Sequence, residues 1–184
     1  MTAEEIAKKH RALLMKIVHH ALEKGAVPSI NLPSFPEELT APGATFVTLE
    51  KQGQLRGCIG SLQAHQPLVQ DLAQNAYRAG FKDPRFPPVT AQELPEITPS
   101  ISILSPPEQM MFRDEQDLLA QLVPGTDGLI LQDGNRRSTF LPQVWEQLPD
   151  PKQFLGHLKR KAGLAENHWS PTLTAQRYRV VKVE

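Results

Sequence analysis

Apolar residues near the start of the chain recur every three or four positions, which is the spacing of one face of an α-helix. This pattern predicts a helix over residues 3–24, with Thr2 and Glu5 as a capping box and Gly25 as a left-handed stop. A second stripe predicts a helix that begins at Pro67 and ends near Gly80. Shorter stripes predict further helices over residues 114–122, 142–147 and 150–163.

Period-two patterns and turn residues predict the strands. The segment from Phe46 to Leu62, interrupted by Gln52-Gly53, is typical of a β-hairpin, and Asp133-Gly134 marks the turn of a second one. Residues 97–103 predict a strand in which Pro99 indicates an edge position, and residues 177–183 have β character. Hairpins mixed with helices, without a regular βαβ rhythm, predict an α+β fold with a mostly antiparallel sheet flanked by helices.

Composition and charge narrow the function classes. The 184 residues carry 20 basic and 20 acidic side chains, which argues against broad binding of nucleic acid. These totals do not exclude a local basic cleft. The single cysteine excludes an intramolecular disulfide. Because no apolar run approaches a membrane span and the first residues contain no apolar signal segment, we expect a cytoplasmic protein that does not enter membranes. The prolines of residues 26–43 predict an ordered surface loop.

Motifs for metals and cofactors do not occur. The sequence has no HExxH or CxxC pattern, no Walker A loop and no GxGxxG loop, so we predict neither a metal site nor a cofactor. A basic run, Lys159-Arg160-Lys161, falls near the end of a predicted helix. There cations complement the helix dipole, an interpretation that we favour over a nucleic-acid patch.

The segment Leu55-Arg56-Gly57-Cys58-Ile59-Gly60 carries the sharpest chemical signal. In an extended strand Arg56 and Cys58 point to the same face, and a guanidinium beside a thiol favours the nucleophilic thiolate. Gly57 and Gly60 would let a ligand, or another backbone, approach closely. The alternative is a buried, inert cysteine in a structural hairpin.

Several blocks of the sequence resemble one family. The segments ATFVTLEKQG and LRGCIGSL, followed by DPRFPPVTAQELPEI at 83–97, FLPQVWEQ at 140–147 and FLGHLKRKAGL at 154–164, are similar to the AMMECR family in order and content. Its prokaryotic members are called AmmeMemoRadiSam system protein A. The resemblance covers roughly residues 44–180. Residues 1–43 add the first helix and the proline-rich loop, and we expect a single domain over residues 1–184.

The resemblance implies an α+β domain with a larger and a smaller lobe, and with the LRGCIG strand near a cleft between them. It implies an association with Memo-type and radical-SAM proteins, but no particular reaction. Arg56, Gly57, Cys58 and Gly60 match the central motif of the family, and Asp83 and Arg85 match the second motif.

Two function classes follow. In the first, Cys58 is the nucleophile or acid–base group of an enzyme, and Arg56 and Arg85 hold a small anionic substrate. A cysteine nucleophile needs a base. His65 is the histidine closest to Cys58 in the sequence, and a histidine farther along the chain is an equal candidate for this base. In the second, the protein is a non-catalytic binding or adapter module.

Within the enzyme class, Gly57, Gly60 and Asp83 belong to the substrate-binding set. Asp83 either caps a turn and pairs with an arginine, or orients a catalytic base. In either class we expect residues 81–88 to meet the 55–60 strand.

Overall fold

The computed structural model describes all residues from Met1 to Glu184. The predicted helices are present, and the first one is capped as expected: Thr2 and Glu5 form a capping box, and Gly25 ends the helix with φ at 62°. The helices are α1 (Ala3–Lys24), α2 (Glu37–Thr40), α3 (Leu68–Phe81), α4 (Glu115–Gln121) and α5 (Pro151–Lys161), with 3₁₀ turns at Leu32–Ser34, Leu94–Glu96 and Pro142–Glu146.

The larger of two compact units comprises Met1–Ser105 and Val181–Glu184. Its strands are β1 (Ala44–Lys51), β2 (Gln54–Gly60), β3 (Ile97–Leu104) and β8 (Val180–Val183), which form one sheet in the order β2-β1-β3-β8. Apolar side chains of this sheet, of α1 and of α3 share one buried core, which includes Leu14, Val18, Val47, Leu72 and Ile101.

The predicted edge position of Pro99 is wrong, because β3 lies between β1 and β8. Pro99 pairs with Leu49 of β1. The four residues of β8 are fewer than the eight of β3, so β3 has positions without a partner on that side. A proline can occupy an interior strand where its missing amide donor is not required.

The smaller unit comprises Pro106–Val180. Its strands β4 (Glu108–Gln109), β5 (Gly128–Asp133), β6 (Arg136–Phe140) and β7 (Thr174–Tyr178) form a second sheet in the order β4-β7-β5-β6. The predicted hairpin at Asp133-Gly134 joins β5 and β6, and Gly134 has a φ of 61°. Trp145 stacks on Phe154 of α5 with ring centroids 3.7 Å apart in a separate buried core.

The predicted strand over residues 177–183 is two strands. Thr174–Tyr178 belongs to the sheet of the smaller unit, whereas Val180–Val183 completes the sheet of the larger one. The α+β class and the antiparallel pairing are confirmed, with two sheets in place of one.

Candidate functional site

The two motif segments meet at the edge of the first sheet, as predicted. Strand β2 is an edge strand. The backbone N–H of Cys58 donates to Oδ2 of Asp83 at 3.0 Å, and Nη2 of Arg85 donates to the Cys58 carbonyl at 3.4 Å. These two side chains therefore take the place of a neighbouring strand at Cys58. Such cover blocks a free sheet edge from pairing with another chain.

Asp83 and Arg85 also bind each other. Nη2 of Arg85 lies 2.7 Å from Oδ2 of Asp83, and Nε donates to Oδ1 at 3.0 Å, so the pair is bidentate. The Asp83 side chain is almost fully buried, whereas that of Arg85 is half exposed. The hydrogen bond from Arg85 holds the pKa of Asp83 well below its usual value. Asp83 thus makes the arginine pair that belongs to the first of the two roles left open for it.

Arg56 is buried and occupies a local irregularity of β2. The register with β1 shifts between Leu49 and Glu50, which pair with Gly57 and Leu55, so Arg56 is the extra residue of a bulge. Its Nε donates to Glu93 at 2.9 Å and its Nη2 to the Pro87 carbonyl at 2.8 Å.

Glu93 is the counter-ion of Arg56. The hydrogen bond from Arg56 is the largest cause that lowers the pKa of Glu93 to about 2. Glu93 also closes a local turn, because the Thr90 N–H donates to its carboxylate at 2.9 Å. No sequence signal indicated that this carboxylate also reaches Arg56, 37 positions away.

The two glycines of the motif accommodate other parts of the fold. A Cβ at Gly57 would overlap the backbone carbonyl of Ala79 in α3, and a Cβ at Gly60 would overlap the ring of Phe46 in β1. Another backbone therefore approaches Gly57 closely, which is one of the two explanations given above for a glycine at this position. Neither glycine needs a ligand to account for it.

The thiol of Cys58 is half-buried, and its partner is a hydroxyl group. Oγ1 of Thr48, directly opposite on β1, lies 3.3 Å from Sγ. His65 is exposed, and its Nδ1 lies 3.2 Å from the carbonyl oxygen of Gln63. The structure thus brings together Cys58, Arg85 and Asp83, but it does not bring the His65 ring into contact with the thiol.

A buried polar network beside the motif escaped the sequence analysis. Asp71 of α3 is 1% exposed and accepts hydrogen bonds from the Thr45 N–H and hydroxyl, from Ser61 and from Asn75. Gln66 donates to it as well, at 3.3 Å. The signal was available: Asp71 and Asn75 fall three and seven positions after Leu68, within the apolar stripe of the predicted helix. This network holds the start of β1 and the end of β2 against α3.

Comparison with known proteins identifies the family. The AMMECR1 family model matches residues 12–183. A protein of Methanothermobacter thermautotrophicus is 39% identical over 155 residues, which cover 82% of this chain and 81% of that one. A protein of Thermofilum pendens is 33% identical over 178 residues, covering 89% and 84%.

A solved structure agrees with the fold. The crystal structure of an uncharacterised protein from Pyrococcus horikoshii has a TM-score of 0.78 and 30% identity, and it covers 92% of this chain and 88% of that one. This mixed α and β protein therefore belongs to the AMMECR1 family. None of its helices combines the length and the apolar character that crossing a membrane requires.

Proposed function

We propose that this protein is a non-catalytic binding module in which the LRGCIG hairpin is structural. The observation that carries the proposal is the engagement of every polar group of Cys58 within the chain. Its N–H binds Asp83, its carbonyl binds Arg85 and its thiol contacts Thr48. A cysteine nucleophile normally needs a base within hydrogen-bond reach, and none of these three partners is a histidine.

The arginines support the same proposal. Arg56 is paired with Glu93 at 2.9 Å and Arg85 with Asp83 at 2.7 Å, so each positive charge already has a carboxylate partner. An anionic substrate that took the place of Glu93 at Arg56 would have to displace this carboxylate from a buried guanidinium. Such a displacement is costly, because it would leave the mostly buried Glu93 carboxylate without its closest counter-ion.

The alkylation rate of Cys58 tests this proposal, since it is the only cysteine of the chain. We expect iodoacetamide to modify the native protein at least about ten-fold more slowly than the urea-unfolded protein, because burial and the Thr48 contact protect the thiol. A Thr48→Val variant should remain folded and react faster than the wild type. A native thiol that reacts faster than the unfolded one, and loses this rate in Arg85→Gln, would overturn the proposal in favour of a Cys58 nucleophile.

We further propose that a Memo-type protein and a radical-SAM protein are the partners of the module. The support is the resemblance to AmmeMemoRadiSam system protein A over roughly residues 44–180. Co-expression with a Memo-type protein from the same genome, followed by size-exclusion chromatography, tests this part. Co-elution of the two chains is the expected result. Separate elution at about 0.1 mM of each protein would overturn the proposed partnership for any dissociation constant well below that concentration.

A further inference from the structure

We propose that the exposed cations at the C-terminal end of α5 form a docking surface for an acidic peptide segment of a partner protein. The cations are Arg136 of β6 and Arg160 and Lys161 of α5, all exposed, and we call them the α5 basic cluster. This inference rests on the proposed function as a binding module. It concerns the smaller unit, whereas the Cys58 site lies in the larger one.

Uncharged groups hold all three cations. Nη1 of Arg136 donates to the Gly163 carbonyl at 3.2 Å, and Nζ of Lys161 donates to the Thr139 carbonyl at 2.9 Å. Nη2 of Arg160 lies 3.1 Å from Nε2 of His157, which must accept because a guanidinium only donates. The side chains are thus positioned without being neutralised.

Two charged groups next to the cluster, Lys159 and Asp133, bind other residues. Lys159, between His157 and Arg160, is fully buried and binds Glu115 at 2.6 Å. Asp133, at the turn next to Arg136, pairs with His168 at 2.7 Å. The carbonyls at the end of α5 offset only about half a charge. None of the three cations of the α5 basic cluster forms an ion pair within the chain, although Asp133 lies opposite Arg136 on β5.

The size of the cluster favours an acidic peptide over a nucleic acid. Proteins that bind the phosphate backbone strongly make about 6–10 phosphate contacts, whereas three cations match two or three carboxylates. Two of the three are arginines, whose planar fork binds a carboxylate through two parallel hydrogen bonds. The equal numbers of acidic and basic residues also give no long-range attraction to a polyanion.

Fluorescence anisotropy of the full chain with a labelled peptide of alternating Glu and Ser, about twelve residues long, tests the inference. At about 50 mM salt we expect measurable binding. The Arg136→Gln/Arg160→Gln/Lys161→Gln variant should bind at least about ten-fold more weakly. The matched control, Lys8→Gln/Arg11→Gln/Lys16→Gln, removes three exposed cations of α1 and should bind like the wild type.

Other outcomes would overturn the inference. The first is that the wild type does not bind the peptide at about 1 mM. The second is that the α1 control loses as much affinity for the peptide as the cluster variant. The third is that an oligo-dT of the same charge binds more tightly than the peptide. Because Arg136 and Lys161 also hold the backbone, Arg160→Gln alone serves as a second variant. It should remain folded and bind about three-fold more weakly, and unchanged affinity would contradict the inference.

The alkylation experiment and the anisotropy experiment test the two proposals separately. A fast, arginine-dependent thiol together with peptide binding would overturn the proposed function alone. A protected thiol without peptide binding would overturn only the docking surface.

Discussion

At the scale of single residues, the two motif glycines meet different kinds of neighbour. Beside Gly57 is a backbone carbonyl of α3, and beside Gly60 is the half-buried ring of Phe46. A side chain can leave the space of an added methyl group by changing its χ1 rotamer, whereas a helix carbonyl moves only with its helix. We therefore expect Gly57→Ala to lower the free energy of unfolding by about 3 kcal/mol and Gly60→Ala by about 1 kcal/mol, measured by urea denaturation. Equal losses, or the reverse order, would contradict this account of the motif.

The ion pair of Arg56 and Glu93 predicts a specific pH dependence. Hydrogen bonds, the strongest from Arg56, lower the pKa of Glu93 from 4.5 to about 2, so this group stabilises the fold fully above pH 4.5. The contribution is lost as the pH falls toward 2. Glu93→Gln should be about 2 kcal/mol less stable at pH 7, because the buried Arg56 loses its counter-ion. The difference between variant and wild type should shrink between pH 5 and pH 2.

Glu96→Gln is the control for this titration. Its carboxylate is about half exposed and lies 3.6 Å from Lys51, so its loss should cost less than about 0.5 kcal/mol at any pH. If the stability of Glu93→Gln keeps the full pH dependence of the wild type in acid, the Arg56–Glu93 pair is not the source of that dependence.

The motif itself could be found from the sequence, but its chemistry could not. The segment around Cys58 indicates a candidate site by itself, and the resemblance to one family adds Asp83 and Arg85. Glu93 and Thr48, which bind Arg56 and the thiol, lie 37 and 10 positions from their partners, and only the folded sheet brings them there. Charge pairing at that separation depends on tertiary structure, which neither periodicity nor local spacing encodes.

At the scale of elements, the network around Asp71 joins α3 to the first hairpin. Each donor that reaches Asp71 requires an acceptor, and an asparagine would present an NH₂ group to one set of them. We expect Asp71→Asn to lower the free energy of unfolding by about 3 kcal/mol, measured by urea denaturation. Gln66→Ala removes only a 3.3 Å contact to the same carboxylate and should cost less than about 1 kcal/mol. Asp71→Asn with wild-type stability would show that the network adds little.

Helices and hairpin turns were more predictable than strand order, for a physical reason. The start and stop of α1 depend on Thr2, Glu5 and Gly25, which act on their own helix. The position of a strand depends on partners far along the chain. The proline at 99 therefore predicts an edge position, although β1 and β8 flank its strand. The local pattern predicts one strand over residues 177–183, because nothing local marks the change of sheet near Arg179.

At the scale of the whole molecule, the two units contain different natural probes. The only cysteine, Cys58, lies in the larger unit, and both tryptophans, Trp145 and Trp169, lie in the smaller one. Alkylation of Cys58 in urea therefore reports on one core and tryptophan fluorescence on the other. Because the two buried clusters share no residue, we expect the two signals to respond to different substitutions.

Two matched core variants test this independence. Leu72→Ala and Leu158→Ala each remove a fully buried leucine side chain, one from each core, and should cost about 3 kcal/mol locally. Leu72→Ala should lower the urea midpoint of Cys58 alkylation and leave the fluorescence midpoint in place, and Leu158→Ala should do the reverse. If both midpoints move together in both variants, the units unfold as one cooperative structure.

The position of β8 has a consequence for the growing chain on the ribosome. Strands β1, β2 and β3 are synthesised early, but residues 106–179 must be translated before β8 is made and can pair with β3. Throughout that interval one side of β3 carries unpaired amide and carbonyl groups, which can pair with a strand of another molecule. Neighbouring ribosomes on one messenger carry identical nascent chains in this state. The risk of pairing between them ends when β8 is translated and occupies that edge.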